Sequence, residues 1–547
     1  MFKSKKLATL TSMLVVLGLL VTGCGSTGGG NAAAPAEKVP QVITYNNAAE
    51  PETIDPAKAQ GAPDLTVINA VFEGLVRYDK DAKVTPGMAS EWKISDDKKT
   101  YTFKLKDSKW SNGDPVTADD FVFAWERVLN PATASPYSYQ LYYLENGQAY
   151  NEGKEKDFSK VGVKALDAKT LEVKLSGPAP QFLGLTAFGT LMPVNKKVVS
   201  ADKDWATKLD SYVGNGPFKM TKWEKNQKFE FAKNDNYWDK GSVKLDTLVF
   251  TSVTKASTEY NMFETGQIDF GDDPPTEEIE RLLKDKTVAL APDLTTYYYT
   301  FNTKAKPFDD PKVRKAFAMA ISRESIVKNV TKANQKPAFG FVPSGFPDAD
   351  TTKDFRTVGG DYFKEDVAEA KKLLAEAGYP DGKNFPKVEL MVNDNEAHVK
   401  IASAILEMWK TNLGISNISV KTMEWGSYLK ARKSGDFQIA RAGWGADYLD
   451  PMTFVDLYTT ANIGGNNDTF WSNAEFDKTI AAVNAEGDTK KRFELMHKAE
   501  KLMMDDQIIL PIYFYTNPYY AKSYLKGYIV PSFGPNVEFK WASVEKH

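Results

Sequence analysis

Cys24 is the only cysteine in the 547-residue chain. Whatever this sequence folds into is therefore held without an internal disulfide, and no second thiol remains for a metal site or a nucleophile. The thiol stands directly after the one strongly apolar run. Met1 to Lys6 (MFKSKK) is basic, Leu7 to Leu20 is apolar, and Val21-Thr22-Gly23 closes the run before Cys24. A basic start, an apolar middle and small residues at a cleavage point make a secretory signal peptide over residues 1–23. The run falls short of the roughly 20 residues that a membrane-spanning helix needs.

Gly25 to Pro40 (GSTGGGNAAAPAEKVP) carries almost no apolar bulk. Such a stretch cannot bury enough surface to fold and reads as a flexible tether over 24–40. About 500 residues follow, more than one core normally holds, which implies two or more lobes. Apolar content of 42% and charged content of 26% fit a soluble globular protein. The net charge of -3 and the lack of a Lys/Arg block exclude a nucleic-acid partner. No second apolar run can cross a membrane, and no repeat has solenoid or propeller spacing. The 25 Tyr and 11 Trp serve either as core or as a cleft lining, because both side chains offer apolar area with a polar tip. Tyr137 to Tyr143 and Tyr297-Tyr298-Tyr299 are the densest clusters.

Strands and helices alternate throughout. Val42 to Tyr45, Tyr101 to Lys106, Leu171 to Leu175 and Val388 to Val392 have strand patterns. Thr117-Ala118-Asp119-Asp120 opens a helix as a capping box, with Phe121, Trp125 and Val128 on one stripe. Asp310-Pro311 opens another, turning Val313, Phe317, Ala320 and Ile321 inward. Lys364 to Ala377 reads as a helix stopped by Gly378 and Pro380. A helix at Glu396–Leu413, a strand at Ile418–Val420, a helix at Trp425–Lys433 and a strand at Phe437–Ala440 follow. That order suits an α/β lobe with helices covering a sheet. Helices near Asn473–Ala485 and Asp488–Asp505 lead into a strand at Ile508–Tyr515.

The motifs of nucleotide binding, of the serine-hydrolase elbow and of the zincins are absent. His398, His497 and His547 are too scattered for an obvious metal site. Acid pairs abound, but 72 acids guarantee them, so they give a carboxylate-pair hydrolase no positive support.

Met88-Ala89-Ser90-Glu91-Trp92, Tyr101 to Lys106 and the run from Lys109-Trp110-Ser111-Asn112-Gly113-Asp114-Pro115 to Phe121 form one long pattern. On physical grounds it is a strand, a turn and a capped helix. It resembles the signature of the peptide/nickel class of extracellular solute-binding proteins, family 5. Phe72 to Leu75, Asn215 to Phe218, Tyr237-Trp238 and Leu510 to Tyr513 extend the resemblance, which runs from about residue 41 to the end and points to oligopeptide-binding subunits of ABC importers. It implies an α/β, two-lobed, periplasmic-binding-protein-like clamp of type II, in the large class with an extra inserted domain. Lobe 1 would be discontinuous, taking 41–72, 197–298 and 515–547, with a smaller domain inserted at 73–196 and lobe 2 at 299–514. Val21 to Cys24 likewise resembles the lipobox of bacterial lipoproteins. Cys24 would then be acylated and anchor the protein on the outer face of the cell membrane; an ordinary signal with an incidental cysteine is the alternative.

The resemblance also implies a site. Arg441-Ala442-Gly443-Trp444-Gly445-Ala446-Asp447-Tyr448 follows a strand and leads to Asp450-Pro451. Asp447 matches the Asp that pairs with the ligand's free α-amine; a buried ammonium needs such a partner. Its structural alternative is a loop cap. Arg441 matches an Arg that meets a ligand carboxylate, and its fork suits that task, although an ion pair within the protein would use it equally well. His398 matches a residue with the same role toward longer ligands, but Ile401, Ala402 and Ile405 share its helix face, as they would with a core histidine. Gly443 matches a position that offers backbone to the ligand, beside Trp444. Tyr137, Trp425, Tyr513 and Tyr515 match aromatic positions around the cleft, or serve as core. Gln60, in Ala59-Gln60-Gly61, departs from relatives that carry an acid there.

The expectation is a monomeric, non-enzymatic receptor for short peptides, without metal or cofactor, that feeds a permease driven by ATPase subunits. An oligosaccharide, nickel chelate or haem as cargo, and a role in peptide signalling, remain as alternatives on the same fold. An exported hydrolase is the alternative from a different class.

Overall fold

The computed structural model describes residues 39–547. The apolar run, Cys24 and nearly all of the tether lie outside the described residues. Eleven strands join in one sheet. In chain order its main members are β1 (Val42–Asn46), β2 (Phe218–Glu224), β3 (Lys228–Lys233), β4 (Thr247–Thr251) and β5 (Phe270–Gly271), then β6 (Ala289–Phe301), β7 (Val388–Asn393), β8 (Ile418–Met423), β9 (Ile439–Gly445) and β10 (Ile509–Ala521). In space they run β8-β7-β9-β6-β10-β5-β1-β4-β3-β2, with Lys336–Pro337 pairing beside β10. β6 and β10 are the long antiparallel girders; the end of β10 leaves β6 and pairs with β5, which joins the two halves of the sheet. A separate four-stranded antiparallel sheet takes Ala89–Ile94, Thr100–Leu105, Thr170–Lys174 and Val163–Asp167 in that order.

Polar caps fix where the helices start. α1 (Ala62–Val71) begins after Gly61, and Asp64 turns back to accept the backbone N–H of Gly61 at 3.1 Å. α2 (Ala118–Leu129) has the capping box expected at Thr117, with Asp120 accepting the Thr117 N–H at 2.9 Å. Its stripe of Phe121, Trp125 and Val128 is buried. α3 (Glu396–Leu413) starts at Asn395, whose side chain accepts from Ala397 and His398, and stops at Gly414, where φ is 73°. α4 (Trp425–Ser434) is capped by Glu424 and stopped by Gly435 at φ 75°. β7, α3 and β8 form a parallel crossover unit, and β9 lies parallel on the other side of β7. Trp409 on α3 is fully buried, lies tilted 4.5 Å from the Phe317 ring and donates to the Phe317 carbonyl at 3.0 Å. Burying a large apolar side chain contributes about 1.5–3 kcal/mol, and this contact anchors α3 to the helix Pro311–Met319.

Several boundaries differ from the sequence reading. The Arg441–Gly445 motif does not follow a strand; it is the strand. β9 begins at Ile439 and pairs with β6 from Phe301↔Ile439 to Thr295↔Gly445, so tertiary pairing overrides two glycines. The helix expected from Lys364 starts at Val367, because Asp366 caps it by accepting the Glu369 N–H. The helix opened by Asp310 ends at Met319, so Ala320 and Ile321 are buried beyond it rather than on it. The last long strand continues past Tyr515 to Ala521, because β6 pairs with it as far as Tyr519 and β5 then pairs with Tyr520 and Ala521.

Candidate ligand-binding cavity

β9 is covered on only part of one edge. β7 pairs with it at Ile439 and Ala440 and then diverges, whereas β6 follows the other edge to Gly445. From Ala442 to Gly445 the β7 side of the strand carries no partner strand among the described residues. Gly443, Trp444 and Gly445 instead line a cavity of about 350 Å³. A Cβ on Gly443 would stand 3.1 Å from Arg441 Nη2, so the missing side chain leaves room for that guanidinium.

Asp447 lies just beyond β9, on the cavity wall and 6% exposed. Gln140 Nε2 donates to its carboxylate at 2.9 Å and Tyr137 Oη at 3.4 Å; its own backbone N–H donates to Thr453 Oγ1 at 3.0 Å. Among the described residues no cation stands within ion-pair distance. Burial drives its carboxyl well above the usual range, the buried acid Asp456 adds to this, and the donors Tyr137, Gln140 and Thr453 oppose it. Burial likewise pushes Asp456 up to about 8.

Arg441 presents the opposite case. It donates to Tyr515 Oη at 2.7 Å and lies 4.9 Å over the Tyr297 ring, yet no carboxylate pairs with it among the described residues, and its Nε has no partner. Lys433 lines the same wall without an ion pair among the described residues, and burial lowers its pKa. Arg432 and Asp468, also on the wall, neutralise each other at 2.6 Å. A cavity that holds a buried acid without a cation and a cation without an anion, among the described residues, suits a ligand with two opposite ends.

Tyr137, Trp425, Arg441, Gly443, Trp444, Asp447 and Tyr515 are thus brought together around one space. Trp444 donates to the Thr453 carbonyl at 2.7 Å and packs 6.0 Å from Tyr137. Trp425 covers Gly61 so closely that a Cβ there would meet the indole at 3.0 Å. His398 and Tyr513 stand behind the wall instead, packed on Tyr297 at 5.4 and 4.8 Å. Burial and then the charge of Arg441 push the His398 imidazole well below its usual pKa, so it is neutral.

A model of the bacterial extracellular solute-binding proteins, family 5, matches residues 83–466. The chain belongs to this family. Family 5 proteins are solute receptors rather than enzymes, with a two-lobed α/β clamp. The oligopeptide-binding protein OppA of Bacillus subtilis (strain 168) is 41% identical over 97% of this chain and 98% of its own. Haemophilus influenzae OppA, solved as a complex with RPPGFSPFR, superposes with a TM-score of 0.86 at 34% identity, over 93% of this chain and all (100%) of that one. The murein tripeptide-binding protein MppA of Escherichia coli gives 0.86 at 35% identity over 93% and 99% of the two chains. Its unliganded open form gives only 0.61 at 35% identity over 93% and 98%. The two halves of this family 5 chain are therefore not arranged as in that open form.

Several wall residues carry no sequence signal of their own. Gln140 meets Asp447 from 307 positions away, and Pro531 to Asn536 close one side of the cavity. Asp293 also lines it, with burial pushing its carboxyl up to about 6. Gln60 sits on the wall and reaches Glu52 at 3.4 Å. The loop carrying Gln60 and Gly61 is held by Asp64, which accepts backbone N–H groups of Glu52, Gln60 and Gly61, and by Asp55, which pairs with Arg127 at 2.7 Å.

Burial raises Asp64 to about 7, against the pull of those N–H donors. The folded state then holds a proton that the unfolded chain releases near pH 4. This group's contribution to stability is full at acid pH and is lost as pH rises through about 7. The thermal midpoint of the ligand-free protein should fall between pH 5 and pH 8, and Asp64→Asn should flatten that slope. Calorimetric scans across this range check it.

Proposed function

We propose that this protein is a lipid-anchored receptor that closes on short peptides and hands them to an ABC importer. The observation that carries the reading is Asp447: a carboxyl group buried on a cavity wall with no cation to pair with among the described residues. A peptide's α-ammonium supplies the missing charge. Its carboxylate is met by Arg441, or by Lys433 on the same wall. A strand rises roughly 3.3 Å per residue, so the six steps from Arg441 to Asp447 span at most about 20 Å, within reach of a peptide of a few residues. The uncovered edge of β9 adds main-chain hydrogen bonds, which ignore peptide sequence. The names of relatives agree: B. subtilis OppA is an oligopeptide-binding protein, and H. influenzae OppA was solved with a nine-residue peptide.

In this reading lobe 1 takes 41–72, 197–298 and 515–547, the separate four-stranded sheet belongs to the inserted domain at 73–196, and lobe 2 takes 299–514. Tyr137 and Gln140 then reach Asp447 across the gap, and Trp425 closes on Gly61 from the other side. Peptide stabilises that closed state. His398 and Tyr513 support Arg441 and Tyr297 from behind. Cys24 holds the receptor at the outer membrane face, as a monomer beside its permease and ATPase subunits.

Asp447→Asn should weaken binding of a free-amine tripeptide by roughly 100-fold or more, because Arg441 keeps its role while the ammonium loses its counter-charge. The melting profile should stay close to wild type. Unchanged affinity by titration calorimetry removes Asp447 from the site. Cys24→Ala should release the protein from cells into the medium; retention at the membrane contradicts the anchor.

A further inference from the structure

We propose that Tyr143, Gly177 and Gln181 close with Asp456, Asn484 and Arg492 into a latch that holds the receptor shut and sets its affinity for every peptide by one common factor. The inference rests on the peptide reading and the lobe division above. None of the six residues lines the cavity.

Each contact of the latch joins two separate parts of the fold. Tyr143, Gly177 and Gln181 belong to the part built on the four-stranded sheet. There the Ser176 N–H donates to the Tyr143 carbonyl at 2.9 Å, and Leu144 bridges to Leu175 just past the strand Thr170–Lys174. On the other side, Asp456 ends the short helix Met452–Val455, which packs against the helix Thr489–Asp505 that carries Arg492. Asn484 lies on the neighbouring helix Ala474–Ala485.

Tyr143 Oη stands 3.4 Å from Asp456 Oδ2 and 3.5 Å from Tyr448 Oη. The Arg492 guanidinium is already paired, with Nη1 and Nη2 donating to the two oxygens of Asp450 at 2.9 Å each. Nη2 donates in addition to Gln181 Oε1 at 3.2 Å, across 311 positions of sequence. The ion pair therefore persists without Gln181, whereas the amide contact exists only while the two parts touch. Their backbones come closer still. A Cβ on Gly177 would stand 2.3 Å from the Asn484 carbonyl oxygen, and one on Gly487 would stand 3.9 Å from Pro178 Cγ. Gly177 has no left-handed backbone, so what this position requires is space alone.

A contact that touches no ligand and forms only in the closed state acts through the balance of open and closed molecules. Apparent affinity then scales with the share of molecules able to close, whatever the peptide. Asp447 differs, because its contribution depends on the ligand's own amine.

The test titrates Ala-Ala-Ala, Ala-Phe-Ala and Lys-Lys-Lys calorimetrically into the wild-type protein and three variants, with thermal scans of each protein free of ligand. Gly177→Ala drives a methyl group against the Asn484 carbonyl in the closed form only. It should weaken all three peptides by the same factor, roughly 5- to 100-fold. Gln181→Ala and Tyr143→Phe each remove one hydrogen-bonding group and should weaken all three by roughly 2- to 10-fold. The ligand-free thermal midpoint of every variant should match that of the wild type, because the open form lacks the contact. A lowered ligand-free midpoint, with or without a change in affinity, marks permanent packing and overturns the latch. Unchanged affinities, or factors that differ from peptide to peptide, overturn it as well and leave the peptide reading intact. Absence of binding by all three peptides to the wild type overturns the peptide reading and this inference with it.

Discussion

A buried carboxylate without a cation is an expensive thing for a protein to keep. Asp447 keeps its place because Gln140, Tyr137 and Thr453 surround it with hydrogen bonds rather than charge. Those neighbours hold its geometry while leaving its charge unmatched, and Asp456 makes ionisation harder still. The account of the whole molecule depends on that mismatch. A site that had already neutralised its acid, as Arg432 neutralises Asp468 on the same wall, would have nothing to offer an ammonium.

The scaffold serves this arrangement at each level. β6 pairs along β9 from one side, and β10 pairs with β6 and then with β5, which joins the two halves of the sheet. The early departure of β7 leaves the other side of β9 open. Gly443 makes space for Arg441, and Tyr297 and Tyr515 hold that guanidinium without cancelling its charge. Asp64 and Asp55 tie down the loop that brings Gln60 and Gly61 to the wall, where Trp425 lies against Gly61.

Local physics made much of the fold legible. α3 could be read from Glu396 to Leu413 because Asn395 caps one end and Gly414 ends the other. The same held for the capping box at Thr117 and for the caps at Asn473 and Asp488. β9 was read too short because its glycines look like a loop until β6 pairs with them. The candidate site was legible only through resemblance: by residue type alone Asp447 is one acid among 72. Gln140, Asp293 and Asp456 had no signal at all, because what distinguishes them is the company they keep after folding. His398 and Tyr513 show the converse. Their match to ligand-facing positions says nothing of the Tyr297 ring that they pack against.

The most direct measurement alters the ligand and leaves the protein untouched. One tripeptide and its N-acetylated twin differ by the charge that Asp447 is held to neutralise. Titrated side by side into the wild-type receptor at neutral pH, the free-amine form should bind roughly 100-fold more tightly or better. Equal affinity for the two would contradict the account, since the carboxylate would then be buried for some other reason.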